Sequence, residues 1–147
     1  MPPSGPRIHL ESAPSDAERL LVIANIDNHN IAATGLSAFY PINLFLRSDE
    51  GETLGGLLGY LWGGWLQIQY LWVAEALRHQ GHATRLMDRA EAHALTRGCT
   101  GATLETHSFQ ALPFYERRGY EAFAELPDYP PGHSKFYLRK PLRAKDD

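Results

Sequence analysis

The stretch from Leu71 to Arg89 constrains the fold of this 147-residue chain more than any other. The apolar run Leu66–Val73 predicts a buried strand, and a helix is predicted to begin near Gly81, with apolar residues at helical spacing on one face. Those residues are Ala83, Leu86, Met87, Ala90 and Ala94. A strand, a glycine-containing turn and a helix N-terminus together form an anion site, because the first N–H groups of a helix have no partner within it and the helix dipole favours negative charge there.

The turn carries the hexad Arg78-His79-Gln80-Gly81-His82-Ala83. Neither Gly-x-x-x-x-Gly-Lys-Ser/Thr nor Gly-x-Gly-x-x-Gly with an acidic partner occurs, so triphosphate and dinucleotide loops are not indicated. The hexad instead resembles the Arg/Gln-x-x-Gly-x-Gly/Ala motif of the GNAT acetyltransferase superfamily, which binds the pyrophosphate of acetyl-coenzyme A. The resemblance implies that backbone N–H groups from His79 to Thr84, with Arg78 beside them, hold that cofactor.

A second segment, Ser108 to Tyr120, resembles the Asn-x-x-Ala-x-x-Phe-Tyr-x-x-x-Gly-Phe/Tyr segment of the same family. The resemblance covers about Arg7 to Leu142. It implies a mixed α/β (α+β) GNAT fold, with about seven strands, about four helices and a splayed parallel central pair. The predicted organisation is a flexible arm at 1–6, a single domain at 7–142 and a tail at 143–147.

The pattern along the chain predicts an antiparallel meander that leads into a strand–helix–strand crossover. The predicted strands are Arg7–Glu11, Phe39–Arg47, Thr53–Trp62, Trp65–Val73, Thr100–Thr106, Tyr120–Leu126 and Ser134–Lys140. The predicted helices are Ala17–Asn28 with Ser15 as N-cap, Gly81 to Arg97–Gly98, and Phe109–Arg118. Asn28–Gly35 is predicted to hold either a short helix, Ile31–Thr34, or a loop.

Composition narrows the class of protein. The formal charge of −3 gives no basic footprint for nucleic acid, and the chain lacks an apolar run of the length that spans a membrane. Cys99 is the single cysteine, so an internal disulfide is excluded and a reducing compartment is indicated. The N-terminus does not resemble a signal peptide, and we expect a cytoplasmic protein. No metal site is predicted, and a homodimer is a possibility that the family suggests.

The family transfers acetyl from acetyl-coenzyme A to an amine by direct attack on the thioester. Tyr115 is the predicted acid that protonates the leaving thiolate, because adjacent helical residues diverge and Phe114 faces the core with Ala111. The main chain near Val73 is expected to polarise the thioester carbonyl. Trp72 is interpreted as core packing or a cofactor contact. Ser108 is interpreted as a contact to the cofactor arm or as a helix N-cap.

The general base stays open at the level of sequence. Histone-type members carry a glutamate on the central strand, where counting back from the hexad gives Gln67. Neither Gln67 nor Gln69 can take up a proton at neutral pH. The remaining candidates are Glu105, His107 and an ordered water.

The acceptor side is predicted from position alone. The segment Asn28–Gly35, with Asn30, and the loop Pro127–His133, with Tyr129, lie where the family builds its acceptor site. Tyr60, Trp62, Trp65 and Tyr70 make the central hairpin aromatic, which fits cross-strand packing or a substrate pocket. From these, Asn30, Trp62, Gln67 and Tyr129 are the candidate substrate residues. The favoured function is N-acetylation of a small-molecule amine. A protein acetyltransferase acting on a Lys or an N-terminus, and an inactive acetyl-coenzyme A sensor, are the alternatives.

Overall fold

The computed structural model of the protein describes Met1 and residues 4–144. The chain divides into two compact units, Met1–Ser37 and Ala38–Asp147. Residues 145–147 of the predicted tail, and residues 2 and 3 of the predicted arm, lie outside the described residues. None of the helices that are described has the length and apolar character needed to cross a membrane.

The first unit contains one helix, α1 (Asp16–Thr34). Ser15 caps it as predicted, because its Oγ accepts the Glu18 N–H at 3.2 Å. The helix continues to Thr34, with Gly35 as its C-cap, so the expected break after Asn28 is wrong. No Gly or Pro interrupts residues 28–34, and each further helical residue adds one backbone hydrogen bond. The expected strand Arg7–Glu11 is also wrong, since those residues have no regular secondary structure and alternation alone supplies no pairing partner.

The second unit is built on a six-stranded sheet in the order β1-β2-β3-β4-β6-β5. Its elements are β1 (Tyr40–Arg47), β2 (Thr53–Trp62), β3 (Trp65–Val73), a 3₁₀ turn (Glu75–Leu77), α2 (His82–Thr96), β4 (Gly101–His107), α3 (Leu112–Arg117), β5 (Glu121–Pro127) and β6 (Ser134–Pro141). The predicted antiparallel meander and the parallel β3–β4 pair are confirmed. Within the described residues there are six strands and three α-helices rather than about seven and four.

Helix α2 buries the apolar face that the sequence predicts. Leu86, Met87, Ala90 and Ala94 are buried, in one core with strand residues such as Leu66 and Ile68 of β3. Burial of this face removes apolar surface from water and fixes the helix against the sheet. The N-terminus of α2 is therefore held beside the end of β3.

Strand β3 carries a β-bulge, in its pairing with β2, next to the point where its pairing with β4 ends. Leu58 of β2 pairs with Tyr70, whereas Gly59 pairs with Ile68, so Gln69 is an extra residue in β3. A Cβ on Gly59 would overlap the Gln67 carbonyl oxygen, so only glycine allows the two backbones to approach here. The parallel pairing covers just Trp65–Ile68 with Gly101–Leu104. Because a bulge bends its strand, β3 then diverges from β4, and we call the opening between residues 69–73 and 105–107 the splay gap.

Candidate active site

A cleft of about 560 Å³ lies between the end of β3, the hexad and α3. It is lined by several of the residues predicted to bind the cofactor. These are Trp72, Val73, Arg78, His79, Gly81, His82, Ala83, Thr84 and Tyr115. The cleft has the size of a typical small-molecule site. The structure thus brings both sequence motifs to one cavity.

The N-terminus of α2 opens onto this cleft. The first helical hydrogen bond runs from the Arg85 N–H to the Gly81 oxygen at 3.0 Å, so the N–H groups of His82, Ala83 and Thr84 precede the helical ladder. Within the described chain, no side chain caps this end. Gly81 has φ +84°, and a Cβ placed on it meets no atom within 4 Å. A phosphate group can therefore approach these backbone donors closely, and the helix dipole favours its charge.

Arg78 joins the hexad to the end of β3, because its Nε donates to the Val73 oxygen at 3.0 Å. In an extended strand, N–H groups of successive residues point to opposite sides. The Ala74 N–H donates to the Leu54 oxygen at 2.8 Å, on the β2 side. The Val73 N–H therefore points away from β2, toward the splay gap. This donor is aimed where a thioester carbonyl in the gap would develop negative charge.

The expectation that Phe114, and not Tyr115, faces the core is wrong: Tyr115 belongs to the buried core, with 8% of its surface exposed, and Phe114 is only partly buried. Both rings line the cleft, because the cleft borders the core. The Tyr115 ring makes edge contacts with Phe114 at 5.2 Å and with Tyr120 at 5.9 Å between centroids. Among the described residues, no hydrogen bond to its hydroxyl is found. Burial raises the pKa of the Tyr115 phenol, because desolvation disfavours the phenolate. The hydroxyl is therefore protonated at neutral pH and can donate into the cleft.

A stack of three rings lies at the carboxyl end of β4. The His107 ring lies nearly parallel to Phe109, at 5.1 Å between centroids, and to Tyr129, at 5.9 Å. His133 approaches Phe109 edge-on at 5.0 Å. We call His107, Phe109, Tyr129 and His133 the ring cluster. The cluster joins the β4–α3 turn to the β5–β6 loop, so it brings together two sequence candidates, His107 and Tyr129.

Ser108 links the same two segments through its side chain. Its Oγ accepts the Ser134 N–H at 3.0 Å, and its own N–H donates to the Ser134 oxygen at 2.8 Å. Its interpretation as a helix N-cap is wrong, because α3 begins only at Leu112, with Ala111 at the cap. Ser108 does not line the cleft of residues 71–84 and 111–117.

Glu105 forms an ion pair with Lys135, at 2.8 Å between Oε2 and Nζ. The hydrogen bond that the Lys135 ammonium donates to Glu105 raises the pKa of Lys135 above its ordinary value. The ammonium also lies over the Tyr129 ring, 4.9 Å from its centroid. One carboxylate oxygen of Glu105 is therefore occupied by a cation on the neighbouring strand.

Three further sequence candidates in the second unit, Gln67, Trp62 and Gln80, are not among the residues that line the cleft. Gln67 is in the paired part of β3, between Tyr60 and Thr103, before the strands diverge. Trp62 lies beside the β2–β3 hairpin, at the opposite end of β3 from Val73. Gln80 is exposed, and its Nε2 donates to the Ala76 oxygen. Asn30 is on α1, in the first unit.

Sequence reasoning missed two polar residues near the site. Arg117 lines the cleft two positions after Tyr115, and adds a positive charge there. Gln110 binds His107 through its side chain. Both lie inside the second family segment, at positions that its pattern leaves variable. Only their proximity in the sequence, two positions after Tyr115 and three after His107, could have indicated a role in the site.

The sequence also matches known proteins. Residues 5–120 match the family described as the acetyltransferase (GNAT) family. The chain is 45% identical over 95 residues to blasticidin-S acetyltransferase of Streptomyces morookaense, a match covering 64% of this chain and 70% of that protein. It is 39% identical over 112 residues to acetyltransferase Atu2258 of Agrobacterium fabrum, covering 76% and 82%.

The fold has a close counterpart among solved structures. The crystal structure of an acetyltransferase from Bacillus cereus superposes with a TM-score of 0.79 at 29% identity, covering 92% of this chain and 98% of that one. Since the family match spans well over half of the sequence, the chain belongs to the GNAT family and is an acetyl-coenzyme A-dependent acyltransferase.

Proposed function

We propose that this enzyme transfers the acetyl group of acetyl-coenzyme A to the amine of a small molecule. One observation carries the proposal: a single cleft connects the open N-terminus of α2 with Val73 and Tyr115. The groups proposed to bind phosphate, to polarise the thioester carbonyl and to donate a proton therefore all line the same cleft. The 45% identity to a protein named blasticidin-S acetyltransferase supports a small-molecule acceptor.

The chain offers a complete set of groups for holding acetyl-coenzyme A. The N–H groups of His82, Ala83 and Thr84 bind the pyrophosphate, and Arg78 adds a permanent charge beside them. The splay gap takes the pantetheine arm, because the strand edges there are not bonded to each other in the described chain. Acetyl-coenzyme A supplies the acetyl group as a thioester.

His107 and Tyr115 carry out the two proton transfers that the reaction needs, one from the acceptor amine and one to the leaving sulfur. His107 Nε2 takes one proton from the acceptor ammonium, which frees the nitrogen lone pair to form the new C–N bond. Tyr115 donates its hydroxyl proton to the sulfur as the C–S bond breaks. The second proton of the attacking nitrogen restores the Tyr115 phenol through solvent, and the proton held by His107 is released, so one proton is released in total. His107 is preferred to Glu105 as base, because Lys135 already occupies a Glu105 oxygen.

A panel of acceptors tests the proposal. We expect small amines, with blasticidin S among them, to be acetylated faster than a lysine-containing peptide or a free peptide N-terminus. Gln67 is neutral and the described chain offers no acidic cluster at the gap to hold a basic peptide. Thiol release measures turnover, and mass spectrometry of the acceptor identifies the acetylated nitrogen.

Two outcomes would contradict this expectation. Turnover of the peptides with none of the amines acetylated would make the enzyme a protein acetyltransferase. Binding of acetyl-coenzyme A without transfer to any acceptor would favour the sensor alternative.

A further inference from the structure

We infer that Gln110 is a positioning residue that holds His107 in the tautomer protonated on Nδ1, which leaves Nε2 free to accept a proton from the acceptor. The inference rests on the proposed function, in which His107 is the general base. It adds a residue whose role follows from hydrogen-bond geometry alone.

The Gln110 side chain contacts the last two residues of β4, Thr106 and His107. Its Oε1 lies 2.8 Å from the His107 backbone nitrogen, 3.1 Å from His107 Nδ1 and 3.3 Å from Thr106 Oγ1. Thr106 is 2% exposed, so this oxygen lies at the border of the core, and the two shorter of its three contacts are with His107. In addition, the Gln110 N–H donates to the His107 oxygen at 2.9 Å.

The backbone contact decides which Gln110 atom faces His107. A peptide N–H can only donate, so the amide oxygen, and not the amide nitrogen, must face it. That oxygen can only accept, so the Nδ1 atom 3.1 Å away must carry a hydrogen. In neutral His107 the second ring nitrogen, Nε2, then has a free lone pair. The hydrogen bond of one ring nitrogen thus fixes the role of the other.

The position of His107 suits a base. It is the last residue of β4, three positions after Leu104, where the pairing of β4 with β3 ends, so its backbone borders the splay gap. Phe109 and Tyr129 both stack on its ring, with interplanar angles of 17° and 9°. Among the described residues, no hydrogen bond to Nε2 is found. The ring is therefore oriented, while its basic atom stays available.

Few other ionisable groups surround the ring. Tyr129 and His133 approach from the β5–β6 loop, and Glu105 precedes His107 by two residues on the same face of β4. Lys135 of β6 binds Glu105 and so offsets its charge. The acid limb of the rate profile is therefore expected to report mainly on His107 itself.

Two substitutions of Gln110 test the inference in opposite ways. Gln110→Leu removes the acceptor, so kcat/KM for the amine should fall about 10-fold, with the KM for acetyl-coenzyme A within about threefold of wild type. Gln110→Glu keeps the acceptor and adds a negative charge beside Nδ1–H. It should move the acid limb of the rate profile to higher pH, because a carboxylate beside Nδ1–H favours the imidazolium form.

Thr106→Val is the matched control, because it removes another donor to the same oxygen without touching His107. It should leave the pH profile unchanged. The ¹⁵N chemical shifts of His107 provide a readout that needs no acceptor: Nδ1 should be protonated in the neutral wild type. Protonation on Nε2 would overturn the inference even if the enzyme acetylates amines, and so would a Gln110→Leu rate and profile equal to wild type. A correct tautomer in a protein that acetylates no amine would instead refute the proposed function.

Discussion

Tyr115→Phe is expected to lower kcat about 100-fold, while the KM for acetyl-coenzyme A stays within about threefold of wild type. The substitution removes a single oxygen and keeps the ring that packs against Phe114 and Tyr120. The departing thiolate then lacks a proton donor and recaptures the acetyl group more easily. An effect on kcat without an effect on KM indicates an interaction made mainly in the transition state.

The pH dependence gives this prediction a second signature. Burial raises the pKa of the Tyr115 phenol above its ordinary value near 10, so the donor form persists to higher pH than a free phenol would allow. The alkaline limb of kcat should therefore lie above about pH 10 in the wild type, and should vanish in Tyr115→Phe.

Tyr120→Phe is the matched control for Tyr115→Phe. It removes the other buried hydroxyl of the pair, which donates to Glu91 Oε2 at 3.2 Å. It should lower the melting temperature and leave kcat near wild type. A melting temperature that falls for Tyr115→Phe with kcat intact would make Tyr115 a structural residue.

Glu91→Leu is expected to lower the free energy of unfolding by about 3–5 kcal/mol, the largest stability effect that we anticipate for a single polar residue here. Glu91 is 8% exposed on α2. Its carboxylate accepts from Arg118 Nη2 at 2.9 Å, Tyr120 Oη at 3.2 Å and Lys140 Nζ at 2.6 Å. Removal of the carboxylate leaves the Tyr120 hydroxyl and the Lys140 ammonium without this acceptor, and leaves the Arg118 guanidinium with Asp88 alone. Equilibrium denaturation in urea measures the loss.

Asp88→Leu offers a matched comparison, because Asp88 binds the same Arg118 guanidinium at 2.8 Å from a more exposed position. Its side chain is 59% exposed, against 10% for Glu91. Its removal should therefore cost no more than about 1 kcal/mol, and salt should weaken the effect. Equal losses for the two variants would show that burial does not govern this network.

The sequence predicts the meander, the parallel pair and the helix after the hexad because their signals are local. Glycine-rich turns punctuate the strands, and the apolar positions of α2 recur at helical spacing. The cleft residues 72–84 follow from the same stretch, since a strand end, a turn and a helix start are adjacent in the chain.

Features that depend on pairing could not be predicted in this way. The extra residue Gln69 is defined only by its alignment with Gly59 of the neighbouring strand. Glu91 resembles an ordinary solvated helix residue until Arg118 and Lys140, which are 27 and 49 positions away, fold against it. The Arg7–Glu11 pattern fails for the converse reason, because alternation predicts a strand without supplying a partner.

The central claim is that the backbone at the N-terminus of α2 binds acetyl-coenzyme A, and the affinities of Gly81→Ala and Gly51→Ala test it most directly. Gly81 and Gly51 have φ values of +84° and +86°, and a Cβ on either meets no atom within 4 Å. Both substitutions therefore introduce the same backbone strain, but only the first places a methyl group in the cleft. Calorimetric titration should show about a tenfold loss of affinity, about 1.4 kcal/mol, for Gly81→Ala and wild-type affinity for Gly51→Ala. Unchanged affinity in a folded Gly81→Ala protein, or an equal loss in both variants, would contradict the claim.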